Sequence, residues 1–179
     1  MKLKTLNHVI LSFYSDGTCD NYLKGVPTQC RSYAKYNLSG TRADGDDHFQ
    51  ENGRHISDMF NQSSFTTTTV VDQRNAVKVD KNLDLRKLGP LGCGYVTGSG
   101  TVLNTLKPKP GDTIAVFGTG AVGLAAMMAG RISGCIKVIA VDIVPERLEL
   151  AKELGATHTI NSKEEDAVAK IKELTNGYG

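Results

Sequence analysis

Three glycines spaced as Gly118-Thr-Gly120-Ala-Val-Gly123 follow the apolar run Ile114-Ala-Val-Phe117, and an Ala- and Met-rich stretch follows them. Strand, tight turn and helix, in that order, are the setting in which this glycine spacing binds a dinucleotide. Gly118 permits the sharp turn, Gly120 lets backbone approach a pyrophosphate, and Gly123 lets the helix pack closely on the strand. Ala121 and Val122 open the helix, whose first N–H groups and positive dipole end attract phosphate. A second apolar run, Val138-Ile-Ala-Val141, ends in Asp142. An acid about 20 residues past the glycines is placed to accept hydrogen bonds from the hydroxyls of adenosine ribose. A carboxylate there repels a 2′-phosphate, so NAD is expected rather than NADP. The plain alternative is a glycine-rich turn with no ligand. The joint register of strand, helix and Asp142 weighs against it.

The elements that must position these residues alternate regularly. The pattern predicts a helix over 121–133, a strand over 136–141 and a helix over 145–154, then a strand over 157–160 and a helix over 164–174. Such alternation implies right-handed crossovers and a parallel sheet, an α/β fold of Rossmann type with helices on both faces. Three strands are about half of the six in a full dinucleotide fold. Upstream, the pattern turns helical from Leu83 through Leu88 and again after the Gly/Cys cluster at 92–94, and Pro108 and Pro110-Gly111 punctuate the way to the glycine strand. Residues before about 65 are rich in Ser, Asn, Asp, Gly and Tyr, with one apolar run, His8-Val-Ile-Leu-Ser-Phe13. Residues 40–61 read as one long polar loop. Phe65-Thr-Thr-Thr-Thr-Val-Val71 and Asn75-Ala-Val-Lys-Val79 read as strands. The expected division is a β-rich part over 1–82 and a dinucleotide-binding part over 83–179.

Bulk properties narrow the field. The 179 residues suffice for one ordinary domain or two small ones, and 40% hydrophobic with 22% charged residues marks a globular chain, not a disordered one. A net charge of +2 with interspersed signs argues against nucleic acid as a partner. No apolar run approaches the roughly 18 residues of a membrane span. Met1-Lys-Leu-Lys leads into an apolar stretch soon broken by Asn7 and His8, so no signal peptide is read and the cytoplasm is expected. Four cysteines are few for a disulfide-held fold of this size. Taken alone, Cys93 is either a small buried apolar residue or a thiolate ligand. Cys135, after Gly134 at a strand entry, reads as a core thiol.

Four segments in order carry a family likeness: Gly89-Pro-Leu-Gly-Cys93-Gly-Tyr-Val-Thr97-Gly-Ser-Gly100, Lys107-Pro-Lys-Pro-Gly111-Asp, the glycine fingerprint, and Arg147-Leu-Glu-Leu-Ala-Lys-Glu-Leu-Gly155-Ala. With them the chain resembles the zinc-dependent medium-chain alcohol dehydrogenases over nearly its whole length. The polar stretch ending in Asn61-Gln-Ser-Ser-Phe65 is similar to the aryl- or benzyl-alcohol branch. The resemblance implies a partial GroES-like catalytic segment ahead of the NAD-binding part, the chain lacking both ends of the family's full length. It implies Cys93 as a ligand of a catalytic zinc, Thr97 beside the nicotinamide, and Gly118, Gly120 and Gly123 on the pyrophosphate. It also implies Asp142 on the ribose and Arg147 near it. The implied reaction is hydride transfer between a small alcohol or aldehyde and NAD, with zinc as Lewis acid. A homo-oligomer covering the open edge of the sheet is the expected assembly.

The chain departs from the family pattern at both metals. It has no Gly-His-Glu, and His8, His48, His55 and His158 read as structural or solvated. The family's proton-relay residues are missing as well. The family's structural-zinc loop, Cys-x2-Cys-x2-Cys-x7-Cys, aligns with Asp16, Cys19, Tyr22 and Cys30. Two thiolates remain, Asp16 is a possible oxygen ligand, and a zinc-free loop is the favoured reading. The competing functional reading is a truncated, non-catalytic nucleotide-binding or self-associating fragment. A redox sensor using Cys19 and Cys30 is weaker, because no basic group or helix start near them lowers a thiol pKa.

Overall fold

The computed structural model describes residues 7–45 and 49–178, so His48 and the basic start of the chain lie outside the described residues. The chain divides into two compact units, Met1–Gly89 and Pro90–Gly179. No helix among the described residues is long and apolar enough to cross a membrane.

In the first unit the apolar run at His8 becomes strand β1 (His8–Leu11), and β4 (Ala76–Val79) pairs with it antiparallel, His8 facing Val79 and Leu11 facing Ala76. Between them run two short helices, α1 (Asp20–Leu23) and α2 (Tyr33–Asn37). Asn37 is 1% exposed and ties the region together. Its Oδ1 accepts the Tyr14 N–H at 2.7 Å, and its Nδ2 donates to the carbonyls of Tyr14 and Tyr33. A buried amide is tolerated there because its donors and acceptor are engaged. Tyr14 packs edge-on against Tyr36 at 5.1 Å, and the Arg74 guanidinium lies over the Tyr14 ring at 5.2 Å.

Two expectations fail in this unit. The stretch 65–71 is not a strand: it runs through bends, with Phe65 and Val70 exposed. A β-branched run pleats only where a neighbouring strand supplies a ladder, and none of the described strands does so. The polar stretch 40–61 is not one loop, since β2 (Gln50–Glu51) and β3 (Arg54–His55) pair across Asn52-Gly53. Asn52 at φ 52° and Gly53 at φ 74° give the doubly left-handed turn that matches strand twist. The Asn-Gly pair was the signal for it. The unit closes on the one-turn helix α3 (Leu85–Leu88), capped by Asp84, whose Oδ1 accepts the Arg86 N–H.

The second unit is the α/β part. Helix α4 (Gly94–Gly100) continues without a break into a wider helical turn, Thr101–Leu106, closed by the Lys107 N–H donating to the Val102 carbonyl. Strands β5 (Thr113–Phe117), β6 (Lys137–Asp142) and β7 (His158–Asn161) form a parallel sheet in the order β5-β6-β7. Helices α5 (Ala121–Ile132), α6 (Pro145–Glu153) and α7 (Ala167–Leu174) connect and cover it. Alternation along β6 assigns its faces. Val138 and Ala140 pack with Met127 of α5 and with Leu148 and Ala151 of α6. Ile139 and Val141 point the other way, to Ile160 and to Ile171 of α7. Both faces of β6 are therefore buried, which is why its sequence is apolar without alternation. Ile139 and Ile160 are fully buried, each contributing about 1.5–3 kcal/mol. Cys135 is a buried thiol in this core, and burial pushes its pKa up. Helix α7 begins at Ala167 rather than 164 because the Asp166 carboxylate caps it, accepting the N–H groups of Val168 and Ala169.

Candidate functional site

The site grows from the junction of β5 and α5. Phe117 ends the strand, Gly118 turns at φ 93°, and α5 begins at Ala121 with Gly120 as its N-cap. Two glycines of the turn have opposite surroundings. A Cβ on Gly123 would lie 1.9 Å from the Gly118 carbonyl oxygen and 3.3 Å from Val116 Cγ1, so this position exists for close packing. A Cβ on Gly120 would meet nothing within 4 Å. Gly120 has no side chain to cap the helix, so the first N–H groups of α5 have no side-chain acceptor from the cap position. Ala121 and Val122 supply those N–H groups, which makes this end of α5 suited to an anion.

Asp142 stands on the β6 side of the turn, at the end of its strand and 9% exposed. Its Oδ2 accepts the Thr119 N–H at 2.6 Å and the Thr119 hydroxyl at 2.7 Å. Its Oδ1 accepts the N–H groups of Ile143 at 2.7 Å and Val144 at 3.1 Å. These donors, those of Thr119 first, hold its pKa down to about 2, so the carboxylate is ionised at neutral pH. Arg147 is exposed in the first turn of α6, five residues beyond Asp142.

On the β5 side a cleft of about 550 Å³ reaches the same turn, lined by Thr101, Leu106, Phe117, Gly118, Gly120 and Val122 among others. Its second wall is the α4 helix, brought down onto α5 because Gly98 carries no side chain. A Cβ there would lie 2.0 Å from the Val122 carbonyl oxygen and 2.9 Å from Ala125 Cβ. Gly94 sits one turn earlier, where a Cβ would come 3.2 Å from Ala121 Cβ. Thr97 is exposed on this helix beside Gly98, and Cys93 is exposed at its N-cap. Thr97 is not among the residues that line the cleft, whereas its neighbours Gly98 and Thr101 are. The glycine pair 94/98, four residues apart on one helix face, was the sequence signal for this crossing. Thr119 carried no such signal.

The metal candidates separate into two cases. Among the described residues, Cys93 belongs to no group of three or more His, Cys, Asp or Glu ligand atoms. A catalytic zinc needs three protein ligands, so the residues present do not fit one. His8 lies in β1, His55 in β3 with its Nε2 bonded to the Gly40 carbonyl, and His158 opens β7 with its Nδ1 bonded to the Thr157 hydroxyl. In the first unit, Asp16, Cys19 and Cys30 do come together, their ligand atoms within 4.8 Å of one another. The Asp16 Oδ1 accepts the N–H groups of Thr18 and Cys19, which holds its pKa down to about 2. Cys30 is buried, and that burial raises its thiol pKa. Two sulfurs and one oxygen do not complete the closed four-ligand shell of structural zinc, and Tyr22 at the fourth place supplies no thiolate.

Known proteins are similar to this chain in sequence and in fold. Residues 121–179 match the family described as zinc-binding dehydrogenase. A geraniol dehydrogenase of Castellaniella defragrans is 42% identical over 98% of this chain and 48% of its own length. The crystal structure of benzyl alcohol dehydrogenase from Acinetobacter calcoaceticus is 43% identical, with a TM-score of 0.89 over 98% of this chain and 48% of that one. An alcohol dehydrogenase zinc-binding domain protein from Burkholderia ambifaria is 47% identical at the same TM-score, covering 98% and 49%. The chain spans about half the length of these relatives.

Proposed function

Because this chain belongs to the zinc-dependent medium-chain alcohol dehydrogenase family, we propose that it carries the NAD-binding part of an oxidoreductase acting on alcohols of the aryl class. The observation that carries the reading is the ionised Asp142 bonded to the glycine turn, with open space outside Gly120. In this reading residues 83–179 are the N-terminal half of the NAD-binding domain, and 1–82 are a segment of the catalytic domain. The pyrophosphate lies over Gly118, Gly120 and Gly123, receiving the N–H groups of Ala121 and Val122. Asp142 accepts the adenosine ribose hydroxyls, and Arg147 flanks them. The nicotinamide enters the cleft on the β5 side, along the wall formed by α4, the helix that carries Thr97 next to the lining residue Gly98.

The reaction moves a hydride with its electron pair from the alcohol carbon to the nicotinamide ring, while the hydroxyl proton leaves to solvent or base. The family's zinc would supply Lewis-acid stabilisation of the alkoxide, and of its protein ligands this chain would offer Cys93 alone, which does not make a site among the described residues.

A fluorescence titration of NADH and NADPH into the purified chain tests the reading. Saturable NADH binding with at least about tenfold preference over NADPH is expected, since Asp142 attracts the ribose diol and repels a 2′-phosphate. Equal binding of the two, or none of either, would remove it. A homo-oligomer also belongs to the reading. Among the described strands β5 pairs on one side only, and an open strand edge templates pairing with a second copy. Light scattering at micromolar concentration is expected to give at least a dimer, and a monomer would count against it.

A further inference from the structure

The Asp142 carboxylate is met by four protein donors, two at each oxygen. Two of these donors, the N–H groups of Ile143 and Val144, belong to the chain that leaves β6. The other two, an N–H and a hydroxyl, both come from Thr119, in the middle of the glycine turn and 23 residues away in sequence. The carboxylate is thus gripped from both ends and cannot rotate about its last bond. Its plane is set before any ligand arrives.

Thr119 is 1% exposed, so its hydroxyl cannot itself touch a dinucleotide lying over the turn. Of the four donors, this hydroxyl is the one that a side-chain substitution can remove. Valine has the same shape and would fill the same space without it.

We infer that Thr119 is a positioning residue for cofactor recognition: its hydroxyl and N–H orient Asp142 toward the ribose and lock the ribose acid to the pyrophosphate turn. This inference rests on the reading of the cleft as an NAD site and deepens it. Orientation matters because affinity from a preset group is not spent on ordering it during binding. It matters for selectivity too. A carboxylate that swings away loses its attraction for the diol and its repulsion of a 2′-phosphate together.

The test compares the parent chain with Thr119→Val and Thr119→Ser, each titrated with NADH and NADPH and melted by circular dichroism. Thr119→Val is expected to weaken NADH binding about tenfold, as for loss of a hydrogen bond to a charged group, and to narrow the NADH-to-NADPH ratio. Thr119→Ser keeps a hydroxyl and restores both. A purely packing role would be met by valine and would leave the ratio unmoved. Should the valine variant melt below the assay temperature, Thr119→Ala serves the same comparison against serine. A parent that binds NADH and a valine variant that matches it in affinity and ratio overturns the inference alone. A parent that binds no NADH overturns the cofactor reading and the inference with it.

Discussion

A Gly120→Asp variant is expected to melt no lower than the parent chain while its NADH affinity falls by at least about a hundredfold, or 2.7 kcal/mol. The two effects come from the same atoms. Gly120 is the N-cap of α5 with φ −74° and ψ −174°, an extended conformation open to any residue. A Cβ at this position meets nothing within 4 Å, so aspartate enters without a clash. Its carboxylate accepts the N–H groups that glycine leaves unpaired, and its charge complements the positive end of the helix, together worth up to about 1 kcal/mol. Those N–H groups are the ones proposed to receive the pyrophosphate, and the added charge repels it. A thermal melt beside an NADH titration checks both halves. An aspartate variant that binds NADH like the parent would mean that the phosphates lie elsewhere.

Gly123→Ala is expected to do the reverse, costing stability first, by about 3 kcal/mol, with a fall in melting temperature of about 10 °C. Alanine is the better helix former, by about 1 kcal/mol in a helix interior. Packing overrides that gain. The new methyl would stand 1.9 Å from the Gly118 carbonyl oxygen and 3.0 Å from its carbon, and both are backbone atoms that cannot turn aside. Either the turn opens or α5 slides outward, and sliding separates Met127 from Val138 and Ala140 in the core beneath. Urea or thermal unfolding reads the loss. An alanine variant as stable as the parent would show that the helix does not need this approach to the strand. Set beside Gly120→Asp, the pair separates a glycine kept for a ligand from a glycine kept for the fold.

The parallel sheet and its helices were legible because each element there is announced locally. β6 is an unbroken apolar run, α6 starts at Pro145, and Gly134 and Gly155 follow the ends of α5 and α6. Local signals agree with long-range packing in that unit, so reading them in order suffices. The first unit was harder. Phe65–Val71 has strand composition without a partner, a fact about neighbours that composition does not carry. The β2–β3 hairpin was readable from Asn52-Gly53, yet short polar strands lack the apolar alternation that usually draws the eye.

At the site the same division holds. The glycine spacing, the strand before it and the acid ending β6 follow from residue types and their order, because a tight turn, a close approach and a charge are demands met one position at a time. The family likeness followed from the same segments. The tertiary structure alone decided which glycine faces open space and which faces a carbonyl oxygen. It also showed that Gly98 brings α4 onto α5, that Asp16, Cys19 and Cys30 meet, and that Cys93 joins no such group among the described residues. Thr119 belongs wholly to that second class. Its partner lies 23 residues away, on the next strand, and a hydrogen bond across that gap exists only once β5 and β6 lie side by side.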